Sequence, residues 1–471
     1  PKAKADKAKR KKERNLGGQQ RRNSTPKVTD IERFGGRLLT MVKRTTVNYS
    51  ENAGATLPGY MDSTNILGIN TSSGAPGFDF IYGMQPDRSW LEKQAYAGRL
   101  SRDSLFNAQF QQQYAQTLNI TTTVEPIKDF RIDFTVTRSF SKTHSELFKD
   151  TTLTGVGDFT HNNPYESGSF TSSFIGLKTL FNKSDVNSGP FRQFMENRKV
   201  VSERLSRSNP YSNGVDDPND PNYKKGYTGY SQDVLVPSFL AAYTGKNAND
   251  VGLIDQRNKN IRSNPFRNYV PMPNWRVAYT GLTKIPAIAE VMNNLVINHA
   301  YTGTLSMNSF VSALFYQDIY SVGFPSFIDS NSGNFVPFYQ VPNVTITESL
   351  NPMFGFDASF RNNMTFRFDF RKTRTVSLSM VDYQVSETYS TEYVIGAGYR
   401  VRGLVLPFEV FGVKKLNNDL NIKMDVGLRD DKSSNNYLAQ NVNITTRGQK
   451  VITISPSIDY IVCDRLTLSF F

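Results

Sequence analysis

Asp419-Leu-Asn-Ile-Lys-Met-Asp-Val-Gly-Leu-Arg429 alternates apolar and polar side chains without a slip. In an extended chain successive side chains point to opposite sides. Leu420, Ile422, Met424, Val426 and Leu428 therefore share one face, and Asn421, Lys423 and Asp425 the other. The stretch from Asn363 to Arg371 repeats the pattern, with Met364, Phe366, Phe368 and Phe370 set against Thr365, Arg367 and Asp369. The same period of two runs through Phe130/Ile132/Phe134/Val136, Val376/Leu378/Met380, Ile395/Ala397/Tyr399/Val401 and Ile452/Ile454/Ile458. Each reads as a strand with one apolar and one polar face.

Length narrows the kind of sheet. Ordinary strands run about 5–6 residues, whereas a tilted strand that crosses a bilayer needs about 9–11. These segments keep phase at the longer length, and Phe110 to Val124 is longer still. Short polar runs at Glu125-Pro126, Arg361-Asn362, Lys372-Thr373 and Arg447-Gly448-Gln449 read as tight turns between them. Long strands with short turns at one end and long loops at the other predict an all-β outer-membrane barrel. Met364, Phe366, Phe368, Phe370, Leu420, Ile422, Met424, Val426 and Leu428 are then lipid-facing, and Arg367, Asp369, Asn421, Lys423 and Asp425 lumen-facing. In a soluble sandwich the same apolar face would be the core, and periodicity alone does not distinguish the two.

Composition excludes several classes. The chain has 471 residues with 33 Phe, 23 Tyr and 2 Trp, too aromatic for a disordered protein. No apolar run approaches the ~18–20 residues of a membrane helix. A single cysteine, Cys463, excludes a disulfide framework and any CxxC motif. The net charge of +13 is concentrated: residues 1–27 hold eleven Lys and Arg against Asp6 and Glu13. This basic segment reads as solvated and self-repelling. The nearly neutral remainder offers no basic face with interleaved aromatics, so no nucleic-acid partner is expected.

Two connections stand out, one of about 58 residues before Gln109 and one of about 155 between Phe140 and Val296. The second contains helix candidates at Asp233–Tyr243 and Ile285–Asn293, and is too long for an inert loop. It reads as a folded extracellular cap or a lumen insert. The expected organisation is a basic periplasmic segment over 1–29, barrel strands with a long loop over 30–140, the insert over 141–295, and barrel strands over 296–471.

Motifs for catalysis are missing. His144, His161 and His299 lie in separate contexts without HExxH spacing, so neither a metal site nor a cofactor is expected. The Asp216–Asn222 cluster lacks EF-hand spacing, and Thr244-Gly245-Lys246-Asn247 lacks the Ser/Thr and upstream glycine of a phosphate loop. No GxSxG elbow occurs. Gly396-Ala-Gly398 sits mid-strand, where it thins the wall or admits close approach. The aromatics Phe324, Phe327, Phe335, Phe338 and Tyr339 fit either a membrane-interface girdle or the core of a folded loop. The chain is not expected to be an enzyme.

Ser101-Arg-Asp-Ser-Leu-Phe-Asn-Ala-Gln-Phe110, Pro126-Ile-Lys-Asp-Phe-Arg-Ile-Asp-Phe-Thr-Val-Thr-Arg138 and Ser326-Phe-Ile-Asp-Ser-Asn-Ser-Gly-Asn-Phe335 resemble the C-terminal part of the SprA/Sov family. So do Val381-Asp-Tyr-Gln-Val-Ser-Glu-Thr388 and Leu416-Asn-Asn-Asp-Leu-Asn-Ile-Lys-Met-Asp-Val426-Gly-Leu-Arg-Asp-Asp431. That family is the outer-membrane translocon of type IX secretion and gliding motility in Bacteroidetes. The resemblance implies part of a very large single-chain transmembrane β-barrel, of the class that reaches ~36 strands. It implies as partners a PorV-like shuttle barrel, a plug protein, substrates with C-terminal signal domains and outer-membrane lipid. A plugged-barrel nutrient transporter and a surface adhesin are the competing readings.

Two further expectations concern topology. Tight turns in such barrels are periplasmic, which places 50–107 and 141–295 outside the cell. In Asp464-Arg-Leu-Thr-Leu-Ser-Phe-Phe471 the terminal Phe471 is out of phase with Leu466, Leu468 and Phe470, so the strand is expected to continue.

Overall fold

The computed structural model describes residues 40–152, 158–182, 188–257, 260–403, 405–410, 413–415, 419–438, 442–463 and 466–471. The basic segment lies outside them. Strand outweighs helix 51% to 15%, so the protein is all-β. The strands are β1 (Val42–Thr56), β2 (Phe110–Ile127), β3 (Phe130–Asp150), β4 (Phe159–Ser173), β5 (Asn274–Tyr279), β6 (Met292–Ser312), β7 (Tyr339–Gln340) and β8 (Asn343–Phe360). They continue with β9 (Met364–Ser379), β10 (Gln384–Val401), β11 (Val405–Val410), β12 (Val413–Lys415), β13 (Leu420–Tyr437), β14 (Val442–Cys463) and β15 (Leu466–Phe470). One antiparallel sheet runs β1-β2-β3-β4-β6-β8-β9-β10-β13-β14-β15, with β5 and β7 paired off this path and β11-β12 forming a separate hairpin.

The strands are longer than the sequence pattern suggests, because hydrophobic alternation records what is covered rather than how far the chain stays extended. Lys372-Thr373 lies inside β9 and Arg447-Gly448-Gln449 inside β14, so neither is a turn. Glu125-Pro126 lies within β2, where Glu125 N still donates to Met41 O (2.7 Å). The turn comes at Lys128-Asp129, where Asp129 takes φ +67°, and another lies at Arg361–Asn363, where Asn363 takes +66°. We call the end of the sheet that carries these turns the lower end. The connections 57–109, 174–273 and 313–342 all leave from the upper end or from mid-height.

The expected insert over 141–295 is smaller than its sequence span. β3 runs on to Asp150, and β4 and β5 both belong to the sheet. Arg138–Asp150 of β3 pairs with β4, while Phe130–Thr135 pairs with β5. Thus β4 and β5 occupy the upper and lower halves of one strand position between β3 and β6. The chain leaves the wall at mid-height after Ser173 and returns at Asn274. The departing segment carries α1 (Leu177–Leu180), α2 (Gly189–Ser208) and α3 (Gln232–Thr244). The helix candidate at Ile285–Asn293 is reduced to one turn, Pro286–Ala289, before β6 begins.

α2 starts where Ser188 Oγ accepts Phe191 N (3.2 Å), with Pro190 in the first turn, where its missing N–H costs least. α3 ends at Gly245, which adopts φ +65° as a left-handed cap. Both helices bury apolar faces on the upper half of the sheet. Phe194, Val201, Val234, Leu235 and Phe239 share one core with Phe140, Phe170, Leu305, Phe310, Val344, Ile346, Val376, Leu378 and Val385. Phe335 and Tyr339 belong to this core and Phe338 packs against it, whereas Phe327 is exposed.

Candidate functional site

Register decides which side chains share a face. β9 and β10 pair without a bulge from Met364↔Tyr399 to Ser379↔Gln384, and β10 and β13 without one from Val401↔Leu420 to Gln384↔Tyr437. Met364, Phe366, Phe368 and Phe370 therefore lie on the same face as Tyr393, Ile395 and Tyr399, and as Leu420, Ile422, Met424, Val426 and Leu428. The β13–β14 register adds Ile452, Ile454, Ile458 and Tyr460, and β15 adds Leu468 and Phe470. At the other edge Val47 and Tyr49 of β1 stand beside Ile120 and Leu118. The result is an apolar belt across the lower half of one sheet face. It is open to the surroundings: Met424 is 50% exposed, Ile454 63% and Phe470 63%.

The opposite face is polar from bottom to top. Arg367, Asp369, Asn421, Lys423 and Asp425 all fall on it. Asp369 is buried there between the guanidiniums of Arg367 (2.7 Å) and Arg371 (2.8 Å), and Arg371 reaches Glu392 (3.2 Å). Gly396 faces these side chains, and a Cβ there would lie 2.3 Å from Asp425 Oδ1. The register sets these residues on the face opposite the belt.

The insert sits on the same face as the belt, directly above it. Its seat contains charges that the alternation pattern hides. Arg374 and Glu348 form an ion pair with both side chains wholly excluded from solvent. Arg374 Nη1 also donates to Thr179 Oγ1 (2.9 Å), and Nη2 to the carbonyls of Gly176 (3.3 Å) and Tyr243 (3.4 Å). Glu348 accepts Gly176 N (2.9 Å) and Tyr301 OH (2.7 Å). Glu387 accepts the hydroxyls of Ser188 (2.9 Å), Tyr389 (3.0 Å) and Tyr243. Lys142 donates to the carbonyls of Asn260 (2.9 Å) and Ser263 (3.3 Å) and to Tyr339 OH (3.0 Å). Three ionic centres on the sheet thus hold the insert by its backbone as well as by its side chains.

Within the insert, Asp233 in the first turn of α3 is buried and accepts only the Gln256 amide (2.8 Å) among the described residues. Burial pushes its carboxyl up to about 7, and the Gln256 bond offsets part of that rise.

His144 and His161 do meet, through a residue the spacing gives no reason to single out. Glu146 lies 2.9 Å from His161 Nδ1 and 3.5 Å from His144 Nε2, and His144 Nδ1 is 3.3 Å from Glu166. His144, Glu146 and Glu166 line a cavity of about 450 Å³ with Gln112, Asn260 and Tyr316. Among the described residues no group of three or more His, Cys, Asp or Glu is placed to hold a metal ion. The available signal was parity: Lys142, His144 and Glu146 follow Phe140 on the apolar phase of β3, where only cover makes a charge tolerable.

No family profile and no curated protein matches this chain.

Proposed function

We propose that this chain forms part of the wall of an outer-membrane β-barrel, and that the barrel is a type IX secretion translocon of the SprA/Sov kind. The belt carries the first half of the reading. In its lower half the sheet is eleven strands wide, counting β1, β2, β3, β5, β6, β8, β9, β10, β13, β14 and β15. At about 4.8 Å between strands and about 27 Å from Leu420 to Leu428, it spans on the order of 1,000 Å². Soluble monomers expose single apolar patches of about 300–600 Å². A strand tilt of about 35–45° brings the belt close to the ~25 Å band of outer-membrane barrels. The polar face then lines water. β1 and β15 are not paired with one another among the described residues, and further strands would complete the wall, since lipid tolerates no open edge.

The second half rests on the resemblance of the quoted segments. A translocon passes folded proteins with C-terminal signal domains to the cell surface, alongside a plug protein and a PorV-like barrel. The upper connections and the insert lie outside the cell in this reading, and the lower turns face the periplasm. Detergent extraction followed by depletion in cells tests both parts. The protein should fractionate with the outer membrane, and its loss should strand signal-bearing proteins in the periplasm and stop gliding. Loss of nutrient uptake with secretion intact would favour a plugged transporter. A protein released without detergent would favour an adhesin.

A further inference from the structure

The insert shares a face with the belt, so its lower flank meets the belt's upper border. Along β9 the border is crossed in three steps: Phe370 ends the belt, Lys372 is half-buried, and Arg374 is fully buried beneath the insert. Phe181, which follows α1, stands at this level with its ring 5.1 Å from Lys372 Nζ. Its neighbours Thr179 and Leu180 are buried, yet Phe181 is 51% exposed. Lys178 is exposed one turn earlier, with Nζ donating to Gly245 O (2.9 Å), and Lys246 follows that glycine. Aromatic side chains continue the level along the sheet: Phe370 stacks on Tyr393 (4.8 Å), and Trp275 is half-buried against the wholly buried ring of Tyr301 (4.7 Å). One step higher the sheet presents Thr391 and Asp430, and Lys450 opposite Asp430.

Read upward, the order is aliphatic and phenyl side chains, then an aromatic row, then mostly cations. That is the depth order of a bilayer leaflet, with acyl chains, interface and phosphates. We infer that the lower flank of the insert rests on the outer surface of the membrane, with Phe181 at headgroup level and Lys178 and Lys372 binding lipid phosphate. The inference rests on the proposed membrane setting of the belt and adds to it a lipid-binding shoulder. The occupant is lipid rather than a protein because the flank is continuous with the belt. Whatever covers Phe370 also reaches Phe181.

The test uses the full protein in vesicles, with Cys463→Ser and a fluorescent thiol probe at either Met424→Cys or Phe181→Cys. Nitroxide lipids carry the quencher at the headgroup or deep in the acyl chain. The Met424 probe should be quenched by the acyl nitroxide and the Phe181 probe by the headgroup nitroxide. In vesicles of phosphatidylcholine with phosphatidic acid, the Phe181 probe should favour the phosphatidic acid nitroxide. Lys178→Gln and Lys372→Gln should each lower that preference about fivefold. A Met424 probe quenched as expected beside an unquenched Phe181 probe would overturn the shoulder and leave the barrel wall standing. Failure of both probes would overturn the membrane setting itself. A phosphate preference untouched by both lysine substitutions would refute the phosphate contact.

Discussion

Glu348 and Arg374 face each other across β8 and β9 as a fully buried ion pair, and the arginine extends beyond it to the carbonyls of Gly176, just before α1, and Tyr243, near the end of α3. A buried pair is weak evidence of net stabilisation, but removing one partner strands the other charge and costs about 3–5 kcal/mol. Arg374→Met should therefore loosen the insert, raising amide exchange across 174–182 and 232–245 while the exchange of β13 and β14 stays unchanged. Adding Glu348→Leu should recover part of the loss. If the double variant exchanges no more slowly than the single, the damage comes from the lost carbonyl bonds instead.

This pair also marks where the sequence stops being legible. Parity alone separates Met424 from Lys423, because one uninterrupted register runs through β9, β10 and β13. The same parity places Arg374 and Glu348 on the apolar phase, where they look like breaks in the pattern. Lys372-Thr373 reads as a turn for that reason. Nothing local shows that another part of the chain covers Arg374; that depends on residues 174–273 folding back from a break in the wall. The His144–Glu146–His161 contact is hidden in the same way, since it joins β3 and β4 across a register that only the folded sheet defines.

The belt makes a sharper claim about charge. Met424 lies near its middle and Lys423 on the polar face. Met424→Arg should destabilise the inserted protein by about 2–4 kcal/mol, whereas Lys423→Ser should be nearly neutral. Folding yield into vesicles, read by protease resistance, checks this. Equal losses for the two would mean that Met424 does not face acyl chains.

Asp233 makes the insert sensitive to pH. Its folded value is raised to about 7 from an ordinary value near 4, so the neutral form is favoured in the folded state. The stabilisation is complete below pH ~4, declines as pH rises, and is gone above about 7; the full change is on the order of 2–4 kcal/mol. Asp233→Asn keeps an oxygen to accept the Gln256 amide but has nothing to titrate. Between pH 5 and 8 the native insert should become easier to nick with protease, and the Asn variant should not. Parallel pH profiles for the two would assign the effect elsewhere.

Gly303 fixes the point at which the chain leaves the wall. Its carbonyl accepts Phe174 N (2.9 Å), the first residue after β4, and its N–H donates to Asn274 Oδ1 (2.8 Å), the first residue of β5. One glycine thus holds both the departure and the return. A Cβ at this position would lie 2.0 Å from Phe174 O and 2.7 Å from Tyr301 OH. The first of these is backbone and cannot swing aside, so Gly303→Ala must push Phe174 off the sheet and lengthen its bond. Overpacking of this kind costs about 1–3 kcal/mol. Gly54→Ala is the matched control, because nothing lies within 4 Å of a Cβ there and β1 keeps ordinary backbone angles at that residue. In detergent micelles the thermal midpoint followed by circular dichroism should fall for Gly303→Ala and stay level for Gly54→Ala. Equal midpoints would show that the approach of Phe174 to β6 is not what sets the exit.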